Sequence, residues 1–249
     1  MCRPALILLL AMLLPAGAAP LQVVLGMGRP PYVFERDGRG QGIETDAVLA
    51  ALQDERRVIV TRHLPNARFA LALADTSVDV VVAVLPGKNG IVCLSRESIS
   101  QYHDVAVSKT KHGIRLSRVA DLTGHTVVAW QDAYRSLGPE VLGLYAPSVR
   151  DSRRYAEVGD QAQQNRLFWL DRYEVMLLDQ RIFTWYRREL AQEFDTREPV
   201  TVHDLFPKVT PYYVAFRDCA LRDRFDARLR RMKADGRYQQ ILDRYLGEP

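Results

Sequence analysis

Val80-Val81-Val82-Ala83-Val84 is apolar at every position. A strand with one wet face alternates polar and apolar residues. A strand covered on both faces can be apolar throughout, so this run predicts a buried strand flanked by helices. Outward from it, short β-branched runs alternate with amphipathic stretches. Strands are expected at residues 21–25, 58–63, 78–84, 104–108, 126–130, 175–178 and 212–216. Helices are expected at 45–54, 66–74, 161–170, 180–193 and 221–234. Such alternation predicts βαβ units on mainly parallel sheets, an α/β fold.

The last helix has the clearest pattern. Leu221, Phe225, Leu229 and Met232 recur at spacings of four, four and three, forming one apolar stripe. Asp235-Gly236 stops it, and Tyr238, Ile241, Leu242 and Tyr245 make a second short stripe. No internal repeat, low-complexity tract or Pro/Gly/Ser linker divides the chain. Two lobes would have to be joined by strands that cross between them.

The chain has 249 residues, 47% hydrophobic and 26% charged, with a net charge of +4. This composition excludes collagen, coiled coil and disordered classes. Arg residues sit beside acids (Asp171-Arg172, Arg222-Asp223-Arg224), which argues against a basic stripe for nucleic acid. Residues 1–18 read as a secretory signal peptide. Arg3 supplies the positive start, residues 5–14 form a short apolar run, and Ala16-Gly17-Ala18 fits a cleavage site. The mature chain is therefore expected outside the cytoplasm. It keeps Cys93 and Cys219, which could form one disulfide in an oxidising compartment or remain two buried thiols.

Several segments resemble one family. Gly28-Arg29-Pro30-Pro31-Tyr32-Val33-Phe34, followed by Gly42-Ile43-Glu44-Thr45-Asp46, is similar to an opening strand, a Pro-Pro-aromatic turn and a helix entry. Asp121-Leu122-Thr123-Gly124-His125-Thr126-Val127 is similar to the start of a second lobe. Tyr212 to Arg217, Lys233 to Tyr238 and Ile241 to Gly247 follow the same family's ending. In this order they resemble the periplasmic solute-binding proteins of ABC importers, family 3, typified by polar-amino-acid binders. The resemblance implies the two-lobed periplasmic-binding-protein fold (type II), with helices on both faces of the sheets and two crossover strands. Lobe 1 would take 19–106 plus 209–249, and lobe 2 would take 107–208. A small molecule would sit between the lobes, and hinge closure would be the working motion. Importer membrane subunits are the implied partner. No cofactor, metal or nucleic acid is expected, and the protein should be a monomer.

Amino-acid binders of this family hold the ligand carboxylate with an Arg fork and with hydroxyls at a lobe-2 helix start. An acid holds the ammonium. The register that preserves the distance to the crossover strand aligns Ser95, and Lys88 then stands where the Arg would be. Arg96, the alternative, shortens the path to Val105. At the hydroxyl site the chain has Trp130-Gln131-Asp132-Ala133-Tyr134. Asp132 would repel a carboxylate there and fits a helix N-cap. Trp130 and Tyr134 would offer flat surface to a ligand or belong to the lobe-2 core. Asp179 matches the ammonium-binding acid and also precedes a helix that it could cap. Tyr32 and Arg29 lie near the implied cleft. Half of the amino-acid signature is therefore altered, and the ligand is expected to be something other than a plain α-amino acid, or one held by weakened carboxylate recognition.

Neither a G-x-S-x-G elbow nor H-E-x-x-H is present, and the five histidines show no metal-ligand spacing. Glu44 and Asp46 are two apart on a helix start, so they point apart and are expected to complement the helix dipole. The family includes a few cyclic-acid dehydratases, which supplies an enzymatic alternative. A ligand-sensing module acting on a separate receptor is another.

Overall fold

The computed structural model describes residues 19–247 except 56, 66–67, 69–70, 73, 88–92 and 207–208. The expected signal peptide and Lys88 lie outside the described residues, as does part of the helix expected at 66–74. Two lobes form, each around a mixed sheet. The first sheet runs Ile59–His63, Leu21–Leu25, Val80–Val84, Thr210–Phe216, Cys93–Leu94, with Ser100–Tyr102 also paired to Thr210–Phe216. The second runs Tyr155–Val158, Val127–Trp130, Val175–Asp179, Asp104–Lys109, Val200–His203.

In each sheet the first three strands are parallel, as expected. The remaining pairings are antiparallel. The reason is entry direction. The parallel strands end at the gap between the lobes, whereas Asp104–Lys109 and Thr210–Phe216 begin there, arriving from the other lobe.

Val80–Val84 is buried at every position. Its partner register jumps from Tyr213↔Val84 to Val214↔Val82, which leaves Ala83 as a bulge with φ 61°. A bulge bends the strand, and Leu85 follows it into the gap. The final helices are Cys219–Ala234 and Arg237–Leu246, separated at Gly236, which has φ 85°. Leu221, Phe225, Leu229 and Met232 are all buried, as the stripe predicts. Several short elements carried too little pattern to be expected: the hairpin Phe34–Arg36 with Arg39–Gln41, the strands Tyr155–Val158 and Val200–His203, and the helix Pro139–Tyr145.

Helix Gln180–Glu189 of the second lobe lies against the first. The Trp185 and Phe34 rings are 5.0 Å apart, and Arg188 donates to the carbonyls of Tyr245 and Gly247, each at 2.9 Å. Arg36 pairs with Glu189 at 2.9 Å.

Cys93 and Cys219 form a disulfide across 126 residues of sequence, with Cα atoms 5.4 Å apart. It ties a two-residue strand to the first turn of the long helix. Closing so long a loop restricts the unfolded chain strongly. The double variant Cys93→Ala/Cys219→Ala should lose about 2–5 kcal/mol, read as a lower urea midpoint. Neither cysteine should react with a thiol reagent in the oxidised protein. Two free thiols there would contradict the bridge.

Candidate functional site

The site begins at a tight turn. Arg29 donates its backbone N–H to Val33 (2.8 Å) and accepts from Tyr32 (2.9 Å) and Val33 (3.0 Å), with a cis Pro30–Pro31 peptide between them. The helix Ile43–Leu52 docks on this turn, because Ile43 and Glu44 donate to the carbonyls of Pro31 and Tyr32 at 3.0 and 2.9 Å. Gly42 permits the approach. Its φ is 121°, and a Cβ there would lie 2.3 Å from the Tyr32 carbonyl oxygen.

The docking brings Glu44 under Arg29. Glu44 is 1% exposed, lies 3.7 Å from the Arg29 guanidinium, and accepts from Ser100 Oγ at 2.7 Å and Tyr102 OH at 3.0 Å. The Arg29 guanidinium lies 5.9 Å from the Tyr102 ring centroid, and Tyr102 stacks on Tyr32 at 3.9 Å. Glu44 thus offsets the Arg29 charge, a stronger role than the dipole complement expected of it, while the buried Arg29 Nε has no hydrogen-bond partner. Asp46 points elsewhere, to Arg244 (2.6 Å) and Tyr245 (2.8 Å).

Asp179 ends the middle strand of the second sheet and caps helix Gln180–Glu189. Its Oδ1 accepts from the N–H groups of Arg181 (2.9 Å) and Ile182 (3.0 Å), and its Oδ2 accepts from His103 N–H at 2.7 Å. The Tyr32 hydroxyl donates to the Gln101 carbonyl at 2.9 Å and lies 3.2 Å from both Asp179 oxygens. One carboxylate therefore holds a helix start, the crossing chain and the opposite lobe. The capping role is observed, and the hydrogen bonds to Asp179 leave little of it for a ligand ammonium. Burial raises its pKa against these bonds. Burial also raises that of the Tyr32 hydroxyl, with the Asp179 charge adding to it.

Between the lobes lies a cavity of about 270 Å³. Arg29, Leu85, Tyr102, Thr210 and Tyr212 line it from the first lobe's strands and turns. Asp104, Trp130, Gln131, Asp132, Ser136, Gln161, Asp179 and Ile182 line it from the second. A second cavity of about 340 Å³ adjoins it at Asp104, Ser136 and Thr210. Its other walls are mostly apolar: Val119, Leu137, Pro139, Leu205 and Phe206.

Of the residues expected at the site, Arg29, Trp130, Asp132 and Asp179 share the first cavity, with Tyr32 behind Tyr102. Two expectations are corrected. Ser95 is 4% exposed and spends its hydroxyl on the chain, donating to Glu97 O (2.8 Å) and accepting from Val214 N–H (2.9 Å). Tyr134 is 5% exposed and packs in the second-lobe core, the alternative left open for it, and offers no ligand surface. Arg96 is exposed and pairs with Asp223 at 3.2 Å.

Asp132 does not cap its helix. Its backbone is left-handed, with φ 63°, and its side chain makes no cap bond. Glu157 supplies the acceptor instead, taking Asp132 N–H at 3.1 Å and Tyr134 N–H at 3.2 Å. The sequence reading missed Tyr102, Asp104, Gln161 and Tyr212. Asp104 had a usable signal, a lone acid at the head of an apolar strand that begins where the lobes cross.

Asp104 sits directly opposite Asp179 on the adjacent antiparallel strand. Burial, and then the Asp179 charge, push its carboxyl up to about 7. The native state thus holds this proton where the unfolded chain has released it, so stability falls as pH rises from about 4 to 7. The cost when ionised is about 4 kcal/mol. Asp104→Asn should raise the melting temperature at pH 8 by about 5 °C or more and change it little at pH 4.5. An equal shift at both pH values would refute the assignment.

Three comparisons bear on this geometry. The model of the bacterial extracellular solute-binding proteins, family 3, matches residues 21–248. No curated protein matches the sequence. Among solved structures, a substrate-binding protein of an ABC uptake transporter from Streptococcus pneumoniae with bound histidine superposes with a TM-score of 0.71 at 17% identity. The match covers 92% of this chain and 93% of that one. A mutant of ArgBP from T. maritima gives 0.70 at 17% identity, over 92% and 96%. An ancestral amino acid-binding protein, a precursor of cyclohexadienyl dehydratase, gives 0.70 at 19%, over 91% and 95%. These likenesses carry the two-lobed fold, and the family model spans nearly every described residue. The chain belongs to the bacterial extracellular solute-binding proteins of family 3.

Proposed function

We propose that this protein captures one small polar solute, an amino acid or a related compound, between its lobes and delivers it to the membrane subunits of an ABC importer, making and breaking no bond. The observation that carries this is the cavity itself. Residues from both sheets line it, it contains buried charged groups, and it lies where two crossing segments allow the halves to hinge. The hinge divides lobe 1, residues 19–106 plus 209–249, from lobe 2, residues 107–208. Removal of residues 1–18 would leave the chain in the periplasm as a monomer, and the Cys93–Cys219 bridge suits that oxidising compartment.

One observation favours a second reading. Asp104 is a cavity carboxyl held near 7, the range a general acid needs, and one structural neighbour is a precursor of a dehydratase. A cyclic-acid dehydratase on this fold would use such a group.

Thermal shift against amino acids, sugars, organic acids and amines separates the two, alongside native mass spectrometry of the purified protein. At least one solute should raise the melting temperature by several degrees, and the same mass should co-purify. Absence of any shift across the panel would sink the binding reading. Loss of prephenate absorbance on adding the protein would favour the enzyme.

A further inference from the structure

The polar cavity between the lobes can meet a head of either charge. Arg29 lines it with its Nε unpartnered, and Gln161, 8% exposed, lines it with its Oε1 unpartnered. Asp104 and Asp179 stand on the same lining. The head therefore does not decide among small polar solutes, and the shape beyond it does. This cavity, about 270 Å³, is just under the ~300 Å³ at which small-molecule sites usually begin.

Asp104, Ser136 and Thr210 are walls of this cavity and of the second one, about 340 Å³, so the two meet at these side chains. Beyond that doorway the character changes. Val119 and Phe206 are each 8% exposed and belong to the second-lobe core, and Leu137 and Leu205 pack on the same core. The fold holds these walls in place, and their side chains offer apolar surface and no hydrogen bond. Glu140, the charged wall besides Asp104, is exposed. Ser136 is exposed as well, so a larger side chain there would narrow the doorway without entering the core. An apolar chamber opening off a polar one suits a solute with two unlike ends, because removing apolar surface from water is the gain available there.

Resting on the reading that the cleft captures a solute, we infer that this solute is amphipathic, a small polar head bearing an unbranched alkyl or aryl arm, and that the second cavity is the subsite for the arm. The head sits among Arg29, Asp104 and Gln161. The arm passes between Ser136 and Thr210 and lies against Val119, Leu137, Leu205 and Phe206. A polar arm of the same length would leave its hydrogen-bonding groups unmatched against these walls. Selection therefore falls on the reach and apolarity of the arm, the opposite of what a binder of polar amino acids selects.

Isothermal titration calorimetry on the mature chain tests this with series of equal arms and different heads: α-amino acids (alanine, norvaline, norleucine, 2-aminooctanoate), primary amines and carboxylates. Each series includes arms of similar reach that end in a polar group, as glutamine and lysine do among the amino acids, and sugars are titrated in parallel. In at least one series affinity should rise about two- to fourfold for each methylene that passes the doorway, and the apolar arm should bind more tightly than the polar arm on the same head. Ser136→Phe should flatten that rise and leave the shortest member that binds unchanged. Leu205→Gln, which makes the inner wall polar, gives the same reading should Ser136→Phe fail to fold. Affinity that stays flat or falls with arm length overturns the inference and leaves solute capture standing. So does a polar-armed member that binds best, a rise that Ser136→Phe leaves intact, or binding confined to sugars. Silence from every compound overturns both.

Discussion

The Asp179 carboxylate is the constraint around which the rest is arranged. A buried carboxylate is costly unless its lone pairs are met. Here backbone N–H groups from a helix start and from the crossing chain meet it, and a hydroxyl from the other lobe stands beside it. Each partner fixes a different element. The cap sets where helix Gln180–Glu189 begins. The His103 contact sets where the chain leaves one sheet for the other. Tyr32 links that junction to the turn carrying Arg29. Charge-assisted bonds of this kind are short and directional, so the cleft floor inherits their geometry.

What could be read from the sequence follows the range of the interaction. Val80–Val84 and the stripe Leu221, Phe225, Leu229, Met232 announce themselves because burial imposes a period on neighbouring residues. The Asp179 cap was legible because a cap and its helix are adjacent in the chain. Glu157 was not. It accepts from the N-cap residue Asp132, 25 residues before it, and no local pattern ties the two. The same blindness misassigned Asp132, which has the right residue type and position for a cap but a left-handed backbone. Ser95 and Tyr134 failed for another reason. Each lies one layer too deep for a ligand, where a hydroxyl or a ring serves the sheet or the core.

Glu157 and Glu44 act alike. Each is a nearly buried acid set against a positive feature of the cleft, Glu157 accepting from a helix start and Glu44 lying 3.7 Å from a guanidinium whose Nε has no partner. Tyr155 reinforces the first by donating to Glu157 at 2.7 Å, and Ser100 and Tyr102 reinforce the second. Internal ligands of this sort preserve the fold's geometry while changing what the cavity can recognise. The two-lobed architecture is thus set by contacts among buried groups, several of which also line the cavity.

The pairing of Asp104 with Asp179 is the least expected feature. Two acids face each other across adjacent strands, and like charges directly opposite destabilise a sheet. Asp179 could not be replaced without losing a cap and the lobe junction, so the strain falls on Asp104, which makes no hydrogen bond to the described residues. A residue that served only the fold would be apolar there, as the next residues of its strand, Val105, Ala106 and Val107, are. An acid at that position, its pKa raised by burial and by the Asp179 charge, stands in the cavity wall, so its energy depends on what fills the cavity.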